Sequence, residues 1–516
     1  MAARDSEDTN RRANDPPRHL HGPSGGDARW RWLACVLAAA CLLLPLLSAR
    51  ILPLADLPQQ LAQMRLLDDA LGDGESGLRV QWLAPNRLSY LLLWIGWRVG
   101  DPFAAATVAI SLLALFWVGG THLLAARRTR SLAAALLASV FFFNHVFYWG
   151  FFNFIAGWPC FVLWVLALRR DPSERPPGRE LGLTLALALL LYAAHILWLG
   201  AGIFWYLLHH LRRRYAFAAA WPRLAGIAPV LVLALLAYQS FVGSGFRSMS
   251  FYGALPWERL APARLVDEVL GGLTGWLEPV VLVLLLAWLL LGLWQSRRRL
   301  GAALDPDLLL AAGTLAFLGL TLPHLYNATM SLAERWFPFA AVLLLLALPA
   351  PRLLRLPRRL LAGLVLAGFT LVTAATWRTL NSTELRGLEQ TLATLPARSR
   401  LISLIFTESE HLKVLRPYLH VGAYAQLLHG GELDFSFADV PTSLVVYEPP
   451  RAKGWTPELE WNPRRIETRD FGYFTHALIA GDAPIQRRFS AAPFLRAAAG
   501  EGEWRLYRVA LEGSAP

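Results

Sequence analysis

The chain has 516 residues, 55% of them hydrophobic and only 17% charged, with a mean hydropathy of +0.39. That is too apolar for an ordinary soluble protein, and the charges come in clusters. The net charge of +12 invites a nucleic-acid reading, but a basic patch for nucleic acid needs a soluble face. Here the arginines sit in short segments between apolar runs, so no nucleic-acid partner is expected. Basic charge is almost all arginine, the lysines being Lys413 and Lys453; with abundant Ala and Leu this suggests a bacterial source of GC-rich genome.

Residues 1–30 are polar, mixed in charge and rich in Pro and Gly, and read as a disordered cytoplasmic tail. Runs of about eighteen nearly uncharged apolar residues then recur, each long enough to cross a hydrocarbon core of roughly 30 Å as a helix. The first span is expected near 32–47, retained and not cleaved. Two half-apolar stretches, 57–71 and 86–99, carry Arg65, Arg87 and Arg98 and read as helices along the interface. Further spans are expected near 103–125, 132–148, 154–168, 181–194, 196–211, 227–242, 279–294, 308–322, 337–348 and 360–376, about eleven in all.

With the N-terminus in the cytoplasm, every loop on that side is arginine-rich: 127–130, 169–179, 212–223, 297–299 and 352–359. The opposite loops are poor in basic residues, as the positive-inside rule requires. An odd number of spans then places 379–516 outside, in a bacterial inner membrane on the periplasmic side. That segment has soluble character, with helical periodicity over 383–395 and strand-like runs at 399–406, 443–447, 476–480 and 504–509. The expected architecture is an all-α polytopic bundle over 31–378 carrying a small α/β domain. Cys35, Cys41 and Cys160 lie inside apolar runs and read as buried hydrophobes, not as disulfides or metal ligands.

Polar residues collect at the outer ends of the spans, where function in a membrane protein concentrates. Asp56 stands in Leu54-Ala-Asp-Leu-Pro after the first span. Asn144 and His145 close the third, Asn153 opens the fourth, and His195 breaks the fifth from the sixth. His324, Asn327, Glu334 and Arg335 crowd the loop between the ninth and tenth. Each also has a structural reading. Asp56 suits a helix N-cap, a lone His is more often a hydrogen-bonded interface residue, and Arg335 suits snorkelling.

One span, an outer Asp, two interfacial helices and a short basic loop after the next span resemble the GT-C superfamily, polytopic glycosyltransferases that use polyprenyl-phosphate sugars. The resemblance covers roughly 32–377 and is closest over 86–127, where Gly100-Asp-Pro leads into a span ending in Ala-Arg-Arg. It implies that Asp56 is the catalytic base. It also implies a polyprenyl-phosphate-linked sugar as donor and a cell-envelope glycan, lipid or protein as acceptor. A phosphate leaving group needs a fixed cation, for which Arg335, Arg65 and Arg87 stand ready. The substrate-binding set is then Arg65, Arg87, His145, Asn153, His195, His324, Glu334 and Arg335. Gln60 stands where bacterial relatives often carry His, so no metal ligand is assigned, although a divalent metal is compatible with the chemistry. The competing readings are a non-catalytic assembly protein on the same fold and a lipid or solute transporter. A transporter should show midplane charge and repeat symmetry, and neither is visible here.

Overall fold

The computed structural model describes residues 25–72, 77–243, 250–327, 329–353 and 357–511; nearly all of the expected tail lies outside these. Helix α1 (Gly25–Ser48) begins earlier than the apolar pattern alone suggests. Both half-apolar stretches are helical, as α2 (Leu57–Gly72) and α3 (Leu88–Trp97). The chain then crosses as α4 (Pro102–Arg127), whose Asp101 N-cap accepts from the Ala104 N–H, as a Pro-initiated helix invites.

The two expected spans that follow are each broken. The first runs as α5 (Leu132–Ser139), a 3₁₀ turn and α6 (His145–Tyr148). The break is local chemistry: Asn144 donates to the Phe141 carbonyl at 2.6 Å and accepts from the Phe147 N–H at 3.2 Å, replacing helical bonds. The second divides into α7 (Phe152–Ile155) and α8 (Gly157–Leu168). Between α6 and α7 the backbone at Gly150 has a φ of +82° and carries no side chain to hold it off Asp56.

The remaining spans fall where the apolar runs place them: α9 (Pro177–Ala194), α10 (Ile196–Arg213) and α11 (Phe217–Gly243). A loop follows, with β2 (Ser250–Phe251), α12 (Pro256–Arg259) and α13 (Pro262–Val269), and β2 pairs antiparallel with β3 (Leu325–Tyr326) further along the chain. The last spans are α14 (Leu277–Ser296), α15 (Pro306–Thr321), α16 (Phe337–Ala347) and α17 (Arg358–Ser382). Among the described residues, α1, α4, α11, α14 and α17 are long and apolar enough to cross a membrane by length and composition alone.

Helix α17 packs along α1, and their ends are clamped. Asn381 donates to the Ile51 carbonyl and accepts from the Ile51 N–H, each at 2.9 Å. The exit of the last span and the loop carrying Asp56 therefore share one end of the bundle. The arginine-rich loops gather at the other. There Arg223 is fully buried and pairs with Glu180 at 2.9 Å while donating to the Leu168 and Arg170 carbonyls. Removing one partner of a buried pair leaves the other uncompensated. Glu180→Ala should lower unfolding free energy by about 3–5 kcal/mol, read from denaturant unfolding in detergent. A loss under about 1 kcal/mol, the range of an exposed pair, would contradict that role.

Beyond α17, helix α18 (Leu388–Ala393) leads into a five-stranded sheet. Its strands are β4 (Arg400–Ile405), β5 (Glu432–Leu433), β7 (His476–Ala480), β8 (Leu495–Glu501) and β9 (Trp504–Val509), in the order β5-β4-β7-β9-β8. Strand β4 is parallel to β5 and β7, and β9 is antiparallel to β7 and β8. Helices α19 (Ala423–His429) and α20 (Ala483–Ser490) complete an α/β domain. The run at 443–447 does not join this sheet. Its core, β6 (Val445–Tyr447), pairs antiparallel with β1 (Leu78–Val80) from the loop between α2 and α3.

The domain is thereby bolted to the membrane module. Gln59 donates to the Phe435 carbonyl and accepts from the Phe437 N–H, both at 2.9 Å, and Gln63 accepts from the Val445 N–H at 2.7 Å. Lys413 adds a contact to Asp267 at 2.7 Å. Helix α2 is consequently buried along most of its length, roofed by α19 and not lying free at the interface.

Candidate functional site

Asp56 sits at the N-terminal edge of α2. Its N–H donates to the Trp149 carbonyl at 3.1 Å, and the Ala55 N–H to that of Tyr148 at 3.0 Å. Gln60, one turn on, donates to the Gly150 carbonyl at 2.9 Å. A Cβ at Gly150 would stand 2.7 Å from the Asp56 nitrogen, so that turn fixes the carboxylate only as glycine. No side-chain cap to α2 involves the Asp56 carboxylate among the described residues. One of its oxygens, Oδ1, instead lies 3.4 Å from His420 Nε2, and the side chain is 15% exposed.

Burial raises the Asp56 pKa to about 7, against the pull of the Arg335 guanidinium. Arg335 is itself buried, and burial lowers its pKa to about 10 while Asp56 and Glu334 oppose that. Its Nε and Nη2 donate to the Met330 carbonyl at 3.1 and 2.6 Å, which leaves Nη1 without a hydrogen-bond partner among the described residues. The guanidinium lies 3.7 Å above the Phe151 ring and 5.7 Å from that of Phe154. A cation so held is pre-aimed.

The charge of Arg335 acts on Asp56, His145 and His195 alike. His145 is buried at the start of α6, and among the described residues neither ring nitrogen has a side-chain hydrogen-bond partner. His195 caps α10, its Nδ1 accepting from the Leu197 N–H at 3.2 Å, and packs edge-on against Phe154. Glu334 holds His324 Nδ1 at 3.0 Å through Oε1, and its Oε2 is buried without a partner. Asn153 lies in the adjoining turn and accepts from the Phe154 N–H at 2.8 Å.

The other two cations are engaged in holding the scaffold. Arg65 pairs with Asp69 at 3.2 Å on α2. Arg87 donates to the Gln81, Thr442 and Ser443 carbonyls at 2.9–3.1 Å, tying α3 to the soluble domain. Of the three, Arg335 is thus the guanidinium whose charge acts on Asp56.

Two groups escaped the sequence reading. His420 comes from the soluble domain, stacked on Phe435 at 5.2 Å with Phe437 at its edge. Its burial lowers the imidazole pKa to about 3, so it meets Asp56 as a neutral ring. Glu268 at the end of α13 has a buried Oε2 without a partner, and burial, aided by Glu334, raises its pKa to about 8. A histidine between Leu419 and Val421 carries no periodic or motif signal; only the contact reveals it. Among the described residues no three His, Cys, Asp or Glu side chains group as a metal site.

No family model and no curated protein matches the chain. Solved structures do. The crystal structure of ArnT from Cupriavidus metallidurans bound to undecaprenyl phosphate is 12% identical with a TM-score of 0.53, over 94% of this chain and 99% of that one. The apo state of the same protein gives 11% identity and a TM-score of 0.55, over 93% and 98%. At such identity the likeness speaks to fold alone: the chain shares the ArnT arrangement of a polytopic helical membrane bundle with a small appended sheet domain.

Proposed function

We propose that this chain transfers a sugar from a polyprenyl phosphate to an acceptor outside the cytoplasm, with Asp56 as base and Arg335 as the phosphate anchor. What supports this reading is the placement: a carboxylate raised by burial to a pKa of about 7 lies close enough to a buried guanidinium to feel its charge, in a chain with the fold of ArnT. A pKa near the working pH suits a general base, which must be ionised yet able to take a proton.

The acceptor hydroxyl gives its proton to Asp56 as its oxygen bonds to the anomeric carbon. The bond from that carbon to the phosphate oxygen breaks, and the electron pair leaves with the lipid phosphate. Arg335 binds that phosphate through the donor it has not committed elsewhere, matching charge as it develops. The neutral His420 steadies the carboxylate from above. His145, His195, Asn153, Glu334 and Glu268 offer polar atoms to the sugar and acceptor. The ligand of the ArnT structure, undecaprenyl phosphate, is of the lipid class this chemistry requires, which supports the donor assignment.

The test is transfer by the purified protein in nanodiscs supplied with radiolabelled polyprenyl-phosphate sugars and envelope glycolipid extracts. Release of free polyprenyl phosphate with label in the acceptor fraction is expected. Label remaining in the donor with every sugar tried would overturn the reading.

The arginine loops support an N-terminus in the cytoplasm and the soluble domain across the membrane. A reporter active only outside should work when fused after Val440 and fail after Arg175. Activity from the Arg175 fusion would reverse the orientation.

A further inference from the structure

At the end of the bundle away from Asp56 lies a cavity of about 330 Å³, lined by Arg31, Thr129, Arg130, Ser131, Arg358 and Arg359 among others. From Arg31 to Ser48 along α1 is about 26 Å at helical rise, so this cavity and the Asp56 site sit at opposite faces of the bundle. Water occupies about 30 Å³ per molecule in the liquid, so a phosphodiester with its glycerol fits.

The arginines here differ from their neighbours. Arg128 is matched by Asp305 and Asp307 at 2.6 and 3.1 Å, and Arg223 by Glu180. Among the described residues Arg31, Arg358 and Arg359 have no ion pair. Arg130 is spent on structure, donating to the carbonyls of Ala303, Leu346, Ala347 and Leu348 at 2.6–3.1 Å, and so forms a cationic floor.

Two helices begin on the cavity wall. Helix α5 starts after Ser131 and α17 after Pro357, and neither has a side-chain cap. Ser131 Oγ is buried with no partner, so a hydroxyl donor stands unused beside the free N–H groups of the first turn. Uncapped N-termini and unmatched guanidinium groups together favour an anion. Beside them on α1, Trp30 and Trp32 are 55% and 65% exposed, an aromatic flank suited to the interface where acyl chains begin.

We propose that this cavity holds the phosphate of an acidic phospholipid from the leaflet at that end, clamped between α1, α5 and α17. The exposed tryptophans favour a lipid headgroup over a free anion. Because α17 leads directly to Asn381 and the Ile51 loop, the bound lipid would brace the spans that carry the Asp56 segment.

The full-length protein in detergent is loaded with an equal mixture of phosphatidylglycerol and phosphatidylcholine, and bound lipid is counted by native mass spectrometry. Wild type should retain phosphatidylglycerol preferentially. The double variant R358Q/R359Q should lose about twenty-five-fold of that preference, about fivefold per arginine, and R31Q should lose about fivefold. The control pair R297Q/R298Q, at the same end but outside the cavity, should keep it. An unchanged preference in both R358Q/R359Q and R31Q would overturn the proposal. So would an equal loss in the control, which means diffuse charge attraction. Displacement of the lipid by excess inorganic phosphate would replace the lipid by a free anion as occupant. Should R358Q/R359Q fail to fold, R31Q decides alone.

Discussion

Asp56→Asn should lower sugar transfer by about 10²–10⁴-fold while leaving folded yield and thermal midpoint close to wild type. Asparagine keeps the shape, and the backbone bond to Trp149 and the Gln60 bond to Gly150 are untouched, but it cannot accept a proton. The pH dependence follows from the same carboxyl. With a pKa near 7, the wild-type rate should rise through that pH as the base ionises and level off above it. Stability runs the other way. A carboxyl raised above its ordinary value of 3.8 contributes stability that is complete below about pH 4 and is lost as pH rises through about 7. Retention of more than a tenth of the activity by Asp56→Asn would remove Asp56 from the role of base. Loss of folded protein would mark it as structural.

Arg335→Gln should lower transfer by about 10²–10³-fold, the scale of losing one pre-aimed group at a developing charge. Lost rate alone does not separate anchoring from folding, since the side chain also holds the Met330 carbonyl. The pH profile does. Arg335 holds the Asp56 pKa down, so its removal should carry the ascending limb of the rate profile above pH 7. Arg335→Lys, which restores charge without the planar fork, should return the limb toward wild type with only part of the rate. A limb that stays put in Arg335→Gln, with activity within tenfold of wild type, would take the guanidinium out of the site.

What could be read before any coordinates was what repeats or punctuates. Apolar runs located the helices, because that signal is local and summed over many residues. Asp56 was visible through Leu-Pro after it, and Arg335 through the polar crowd around it. Hidden were contacts between distant segments. His420 reaches Asp56 across more than three hundred residues of chain, and nothing near it in sequence marks that meeting. Arg65 and Arg87 looked equivalent to Arg335 because composition does not tell an arginine bonded to Asp69 or to carbonyls from one whose charge acts on Asp56. Strand β6 read correctly as extended, yet its partner β1 lies in another module, which periodicity cannot name. Asn144 was read at the end of the third span, and it is there that its side chain bonds its own backbone and breaks the helix.

The bolting of β6 to β1, and of Gln59 and Gln63 to the strands beyond Phe435, bears on how the molecule is made. A ribosome delivers Asp56 early and His420 nearly at the end. Throughout synthesis the spans are inserted around a carboxylate that has no roof. The contact between Asp56 and His420 forms only when the C-terminal domain has folded and clasped onto a loop laid down some three hundred and sixty residues before. A chain arrested at Trp377 would therefore hold Asp56 without its His420 neighbour and helix α2 without the domain that buries it.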